Sequence, residues 1–148
     1  MSARIDHALS SGTFSLDGET FDVDNNIWVI GDDRECVVID APHSVDDIMA
    51  VVGDRAVKAI LCTHAHDDHV RVAPELRRRT GAPILLHPDE APVWELTHPD
   101  DRWDVDLEDG QSIKVAGAAL KVLHTPGHAP GAICVYVHDL DCVFTGDT

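Results

Sequence analysis

The stretch Thr63-His64-Ala65-His66-Asp67-Asp68-His69 constrains this chain more than any other, because it sets three imidazoles and two carboxylates within seven residues directly behind an apolar run. Imidazole nitrogen and carboxylate oxygen are the donors that borderline cations such as zinc take. Val57 to Cys62 reads as a buried strand, so His64 and His66 leave its end on one side, since residues two apart in extended chain share a face. Asp68 and His69 follow where the chain turns toward a helix. A polar surface loop would account for a lone His-x-His, but not for the added Asp68-His69 behind a strand. Ligands adjacent in sequence cannot surround an ion unaided, so the fold has to carry other segments to the same place.

Two downstream positions suit that demand. His128 stands in His124-Thr125-Pro126-Gly127-His128-Ala129-Pro130-Gly131, where two prolines and two glycines impose a loop between apolar runs and hold a ring at a defined angle. Asp147 follows the short apolar strand Cys142 to Thr145 and Gly146, and its two oxygens can reach two ions. Asp40 closes the run Cys36-Val37-Val38-Ile39 in the same manner; it either orients a ligand histidine through the other ring nitrogen or simply forms a turn. His124 ends a strand or supports a ligand.

Strand-like segments are Thr13 to Leu16, Thr20 to Val23, Ile27 to Ile30, Cys36 to Ile39, Val57 to Cys62, Pro83 to Leu86, Ile113 to Val115, Ala119 to Leu123, Ile133 to Val137 and Cys142 to Thr145. Helices are expected over Ser44 to Val52, capped by Ser44 with Asp46 and Asp47 in the first turn, about Val72 to Thr80, stopped by Gly81, and near Asp89 to Leu96. The run Arg77-Arg78-Arg79 reads as a solvated last turn matched to the helix dipole. Such a mixture is an α/β (α+β) layered fold, read as one module over 1–148. Trp94 and Trp103 read as anchors that pack a polar loop, and Trp28 and Tyr136 as core or sheet-face residues.

In order, His64-Ala65-His66-Asp67-Asp68-His69, Thr125-Pro126-Gly127-His128 and Thr145-Gly146-Asp147-Thr148 resemble the motifs of the metallo-β-lactamase superfamily of metal-dependent hydrolases. The wording Thr-Pro-Gly-His-Ala-Pro-Gly-Ala at 125–132 is most similar to its glyoxalase II-like branch. The resemblance runs from about Ile27 onward. It implies an αββα sandwich, of which this chain would supply the N-terminal portion. It also implies one ion held by His64, His66 and His128, a second held by Asp68 and His69, and Asp147 as the bridging carboxylate. Asp40 matches the family's first, non-ligand aspartate. Two departures stand out. The family carries a further ligand histidine beyond its Gly-Asp motif whereas this chain stops at Thr148, which reads as a domain broken off and a second site short of a ligand. Val70-Arg71-Val72 also replaces the small residues common after the histidine motif.

The expected chemistry is hydrolysis of a small-molecule thioester of the hydroxyacyl-thiol type by a metal-bound hydroxide, with two zinc ions as cofactor (iron or manganese being the other candidates) and Asp68 as the catalytic carboxylate that orients the nucleophile. Rival readings are a mononuclear iron persulfide dioxygenase, a lactonase or β-lactamase, and an inactive metal-binding fragment. A formal net charge of −16, with 11 Lys and Arg, opposes nucleic-acid binding. No stretch is long and apolar enough for a membrane span or a signal peptide. Cys36, Cys62, Cys134 and Cys142 form no Cys-x-x-Cys pair and read as buried thiols, which suits the cytoplasm. His7, His43, His87, His98 and His138 lack ligand-like spacing and read as surface or loop residues.

Overall fold

A hairpin of two 13-residue strands opens the chain, β1 (Arg4–Leu16) antiparallel to β2 (Glu19–Gly31). Its turn is Asp17-Gly18, with φ of 53° and 80°, the pair of positive values that matches the twist of the flanking strands. This is longer than the broken segments expected from sequence. The Asp-Gly turn fixes the register, and pairing then runs on through Ser10↔Asn25 and Leu9↔Asn26, where apolar alternation gives no signal.

The computed structural model describes residues 2–148. After the hairpin come β3 (Glu35–Ile39), α1 (Val45–Val52), β4 (Ala56–Leu61), α2 (Asp67–Val70), α3 (Ala73–Thr80), β5 (Ile84–Leu86), a 3-10 turn Pro88–Glu90, α4 (Ala91–Thr97) and β6 (Val105–Asp106). Then follow β7 (Ser112–Val115), β8 (Ala118–His124), β9 (Ile133–Val137) and β10 (Cys142–Phe144). The first six strands form one sheet in sequence order, antiparallel across β1 to β3 and parallel from β3 to β6; β7 to β10 form an antiparallel sheet of their own.

Alternation along the strands divides the core in two. Ile27, Val29, Cys36, Val38 and Ile60 face the helices with Ile48, Leu76 and Trp94. Their neighbours Ile30, Val37, Ile39, Ala59 and Leu61 face the second sheet, against Leu120, Val122 and Val135. Each side chain of this kind, removed from water, contributes about 1.5–3 kcal/mol. Helices, sheet and sheet supply three of the four layers of an αββα sandwich.

Helix ends follow local chemistry. Ser44 Oγ accepts from the Asp47 N–H at 3.2 Å to open α1, and Gly81, at φ 75°, closes α3. Arg77 departs from the expected solvated last turn. It donates to the Arg102 carbonyl (2.6 Å), to Asp104 Oδ2 (3.1 Å) and to Asp101, which pins the loop that also receives the Trp94 indole N–H. Trp94 is fully buried and meets Trp103 edge-on, so both tryptophans anchor that loop. The four cysteines are unpaired. Among the described residues, no helix is long and apolar enough to cross a membrane.

Candidate metal centre

Four strand ends deliver the site. Asp40 follows β3, Thr63 to His69 follow β4 and enter α2, His128 rides the loop from β8 to β9, and Asp147 follows β10. The parallel strands β3 and β4 thus end at the same rim, the usual place for a site on an open sheet. Gly146 admits Asp147 to this rim. Its φ is 57°, and a Cβ there would stand 2.7 Å from Thr63 Oγ1.

The rings of His64, His66 and His128 are mutually edge-on, at 85° to 90° with centroids 4.7–4.9 Å apart. A ligand nitrogen has its lone pair in the ring plane, so three perpendicular planes can share one point. One nitrogen from each ring lies within 4.8 Å of the others, and His66 Nδ1 is 3.0 Å from His128 Nε2. Asp147 Oδ2 sits 3.5 Å from His64 Nε2, 3.4 Å from His128 Nε2 and 3.1 Å from His69 Nε2. Donors around a tetrahedral ion with bonds of about 2.0–2.1 Å are about 3.3–3.4 Å apart, so these spacings suit one.

Hydrogen bonding fixes which nitrogens face inward. Asp40, buried at φ 64°, accepts from the Thr63 N–H (2.7 Å), the Thr63 hydroxyl (2.8 Å) and His69 Nδ1 (2.8 Å). With its proton committed to Asp40, the Thr63 hydroxyl accepts from His64 Nδ1–H at 3.0 Å. His64 Nε2 is then a bare lone pair, buried, without a hydrogen-bond partner, and aimed at the Asp147 carboxylate. A lone pair facing a carboxylate is repulsive unless positive charge lies between them. The donor set and this orphaned nitrogen therefore fit a divalent cation.

The protonation states follow from these contacts. Burial and the adjacent His64 and His128 rings lower the His66 pKa, leaving it neutral. Burial would also lower His69, but Asp40 and Asp147 on either side override it and push it up to about 10. His69, protonated on Nε2, faces Asp147 Oδ2 and holds its carboxyl well below the usual carboxylate range. Burial raises the Cys62 thiol well above its ordinary value, as befits packing.

All six expected site residues lie at this rim. His64, His66 and His128 form one group, and His64, His69 and Asp147 a second. Asp68 stands beside the second, its Oδ2 3.7 Å from His69 Nε2 and bonded to the Asn25 amide at 3.1 Å. A third group, His87, Asp89 and His124, has donor atoms equally close together. Its two rings, however, are stacked 4.1 Å apart and only 10° from parallel, so their lone pairs run side by side and do not converge. His124 instead ends β8 and places Nε2 3.2 Å from the Pro130 carbonyl, bracing the His128 loop.

The sequence profile of the metallo-beta-lactamase superfamily matches residues 20–148. The chain belongs to this superfamily. Among its curated relatives, an atrochrysone carboxyl ACP thioesterase of Aspergillus chevalieri is 34% identical over 92% of this chain and 42% of its own. A hydroxyacylglutathione hydrolase of Vibrio cholerae is 37% identical over 84% of this chain and 46% of its own. The chain thus spans about half the length of these relatives. A class B3 di-zinc metallo-beta-lactamase from an Alaskan soil metagenome shares the fold, with a TM-score of 0.67 at 22% identity over 76% of this chain and 50% of that one.

Several residues at this superfamily site escape a sequence reading. His43, expected on the surface, donates from Nε2 to Asn25 Oδ1 (2.9 Å), and its Nδ1 accepts from Arg71 (2.9 Å); burial and Arg71 lower its pKa. Arg71 also binds Asp67 and the Thr13 carbonyl, so the bulky Val70-Arg71-Val72 braces α2 against β1. Asn25 and Asn26 continue the polar stretch Asp22 to Asp24 of β2 and so carry no signal of their own. Glu90, wholly buried, left none.

Proposed function

We propose that this chain carries a two-ion metal centre and belongs to a hydrolase of thioesters, with zinc as the metal. The observation that carries the reading is the buried lone pair of His64 Nε2, held toward Asp147 by the Asp40–Thr63 relay and ringed by His66 and His128. His64, His66 and His128 would hold one ion, Asp68 and His69 the other, and Asp147, within 3.1–3.5 Å of three ring nitrogens, both. Bound there, divalent cations lower the pKa of water to about 7 and polarise a carbonyl.

The protein's own groups set the rest. Asp40 keeps His69 Nε2 directed inward, and Asn25 holds the Asp68 carboxylate so that it can orient the attacking water. A thioester is favoured because one relative is named a thioesterase and the other a hydrolase of hydroxyacylglutathione, an S-acyl thiol. The net charge of −16 favours a small-molecule substrate over nucleic acid.

Zinc titration followed by release of free thiol from a hydroxyacyl-glutathione thioester tests this. Two equivalents of zinc per chain and zinc-dependent thiol release are expected. Failure to bind zinc would refute the centre, and bound iron with oxygen consumption would refute hydrolysis.

A further inference from the structure

The two loops that carry His64, His66 and His128 are joined first by the Ile133 N–H donating to the Thr63 carbonyl at 2.9 Å. Two residues further out on each segment stand Ala65 and Gly131, where the next tie between them falls. There, both backbones offer an N–H. Two donors cannot bond each other, and burying them unpaired is costly. Glu90, at the end of the 3-10 turn before α4, resolves the conflict. Its Oε1 accepts from Ala65 (2.7 Å) and its Oε2 from Gly131 (2.9 Å).

Glu90 is 0% exposed, and these two N–H groups are its hydrogen-bond donors among the described residues. Ala65 lies between His64 and His66, and Gly131 three residues beyond His128. The approach needs a glycine at 131, because a Cβ there would stand 2.9 Å from both Glu90 Cγ and the Glu90 nitrogen. The carboxylate therefore spans the same two loops whose rings meet at 3.0 Å between His66 Nδ1 and His128 Nε2.

We infer that Glu90 is a positioning residue for the metal centre: a carboxylate clamp that sets the separation of the two histidine loops without touching metal or substrate. This rests on the metal-centre reading above. Glu90→Gln keeps shape but turns one acceptor into a donor facing a backbone N–H, so one arm of the clamp opens. Gly131→Ala leaves the carboxylate intact and pushes the loop off it.

The test is cobalt and zinc affinity by chelator competition, with the visible spectrum of bound Co2+ and the melting temperature of the metal-free protein recorded in parallel. Glu90→Gln should bind about 10- to 100-fold more weakly, the range for groups that orient ligands, with altered Co2+ bands. Gly131→Ala should move both readouts the same way, and it carries the comparison if Glu90→Gln does not fold. A variant that melts lower yet binds within twofold of wild type, with an unchanged Co2+ spectrum, would make Glu90 purely structural and overturn the inference. Wild-type protein that binds no cobalt or zinc would instead overturn the metal-centre reading, and the role of Glu90 with it.

Discussion

Asp40→Asn isolates the relay that aims the inward nitrogens. Asparagine tolerates the left-handed φ of 64° at this position, so the backbone has no reason to move. Its carbonyl oxygen can keep the Thr63 N–H bond, but an amide NH2 then faces the Thr63 hydroxyl and His69 Nδ1, both of which donated to the native carboxylate. To accept from it, His69 must take the tautomer with its proton on Nε2, the nitrogen 3.1 Å from Asp147. The hydroxyl must likewise turn its proton toward His64 Nδ1, which moves the His64 proton to Nε2. Both inward lone pairs are lost together, without any loss of volume. Disturbing a group that orients a ligand weakens metal binding by about 10- to 100-fold. Losing the charge-assisted bond from His69 costs the metal-free protein about 1.5–3 kcal/mol. At about 2–4 °C per kcal/mol for a chain of this size, its Tm should fall by roughly 3–12 °C. Zinc calorimetry with a competing chelator and scanning calorimetry of the metal-free protein measure the two effects. Zinc affinity within twofold of wild type, with an unchanged Tm, would refute the relay.

His64→Ala or His128→Ala should abolish binding at the three-histidine site, and Asp147→Ala should weaken both sites; unchanged stoichiometry by metal analysis in Asp147→Ala would contradict the bridge. In metal-free protein His69 is protonated at pH 7, since its folded pKa of about 10 exceeds the ordinary 6.5. Its contribution to stability is therefore complete below pH 6.5 and is lost as pH rises toward 10. Melts across that window should show the decline, and zinc calorimetry at pH 7 in buffers of different ionisation enthalpy should show a proton released on binding. Arg55 caps the end of α1 by donating to the Val51 and Val52 carbonyls (2.7 and 2.8 Å) and to Asp6 (3.0 Å). Arg55→Met should cost about 2–4 kcal/mol in denaturant titration by leaving these acceptors unpaired, with zinc affinity unchanged.

What could be read from the residues was the part set by neighbours in sequence. The strand from Val57, the Ser44 cap and the Gly81 stop all follow from local chemistry, and the structure places them within a residue or two. The ligand candidates were legible because each stands at a strand end or in a proline-fixed loop. Glu90 was not, because nothing near it in sequence distinguishes a buried acceptor from an ordinary helix-start carboxylate; its meaning comes from two N–H groups 25 and 41 residues away. His43 and Asn25 were hidden for the same reason. Arg4 to Gly12 was missed on other grounds, since a strand that pairs through its backbone needs no apolar alternation.

The polar residues buried around the centre divide the labour by distance. Asp40 and Thr63 settle which nitrogen of His64 and His69 looks inward, Asn25 settles the angle of Asp68, and Glu90 settles how far apart the ligand loops stand. Burying the Asp40 carboxylate opposes folding unless positive charge meets it, and in the metal-free chain the proton on His69 supplies it between Asp40 and the half-exposed Asp147. A cation in that position would satisfy the same carboxylates more fully. Metal affinity and folding stability are thus drawn from one network, and a substitution that raises one by relieving the buried charge should lower the other.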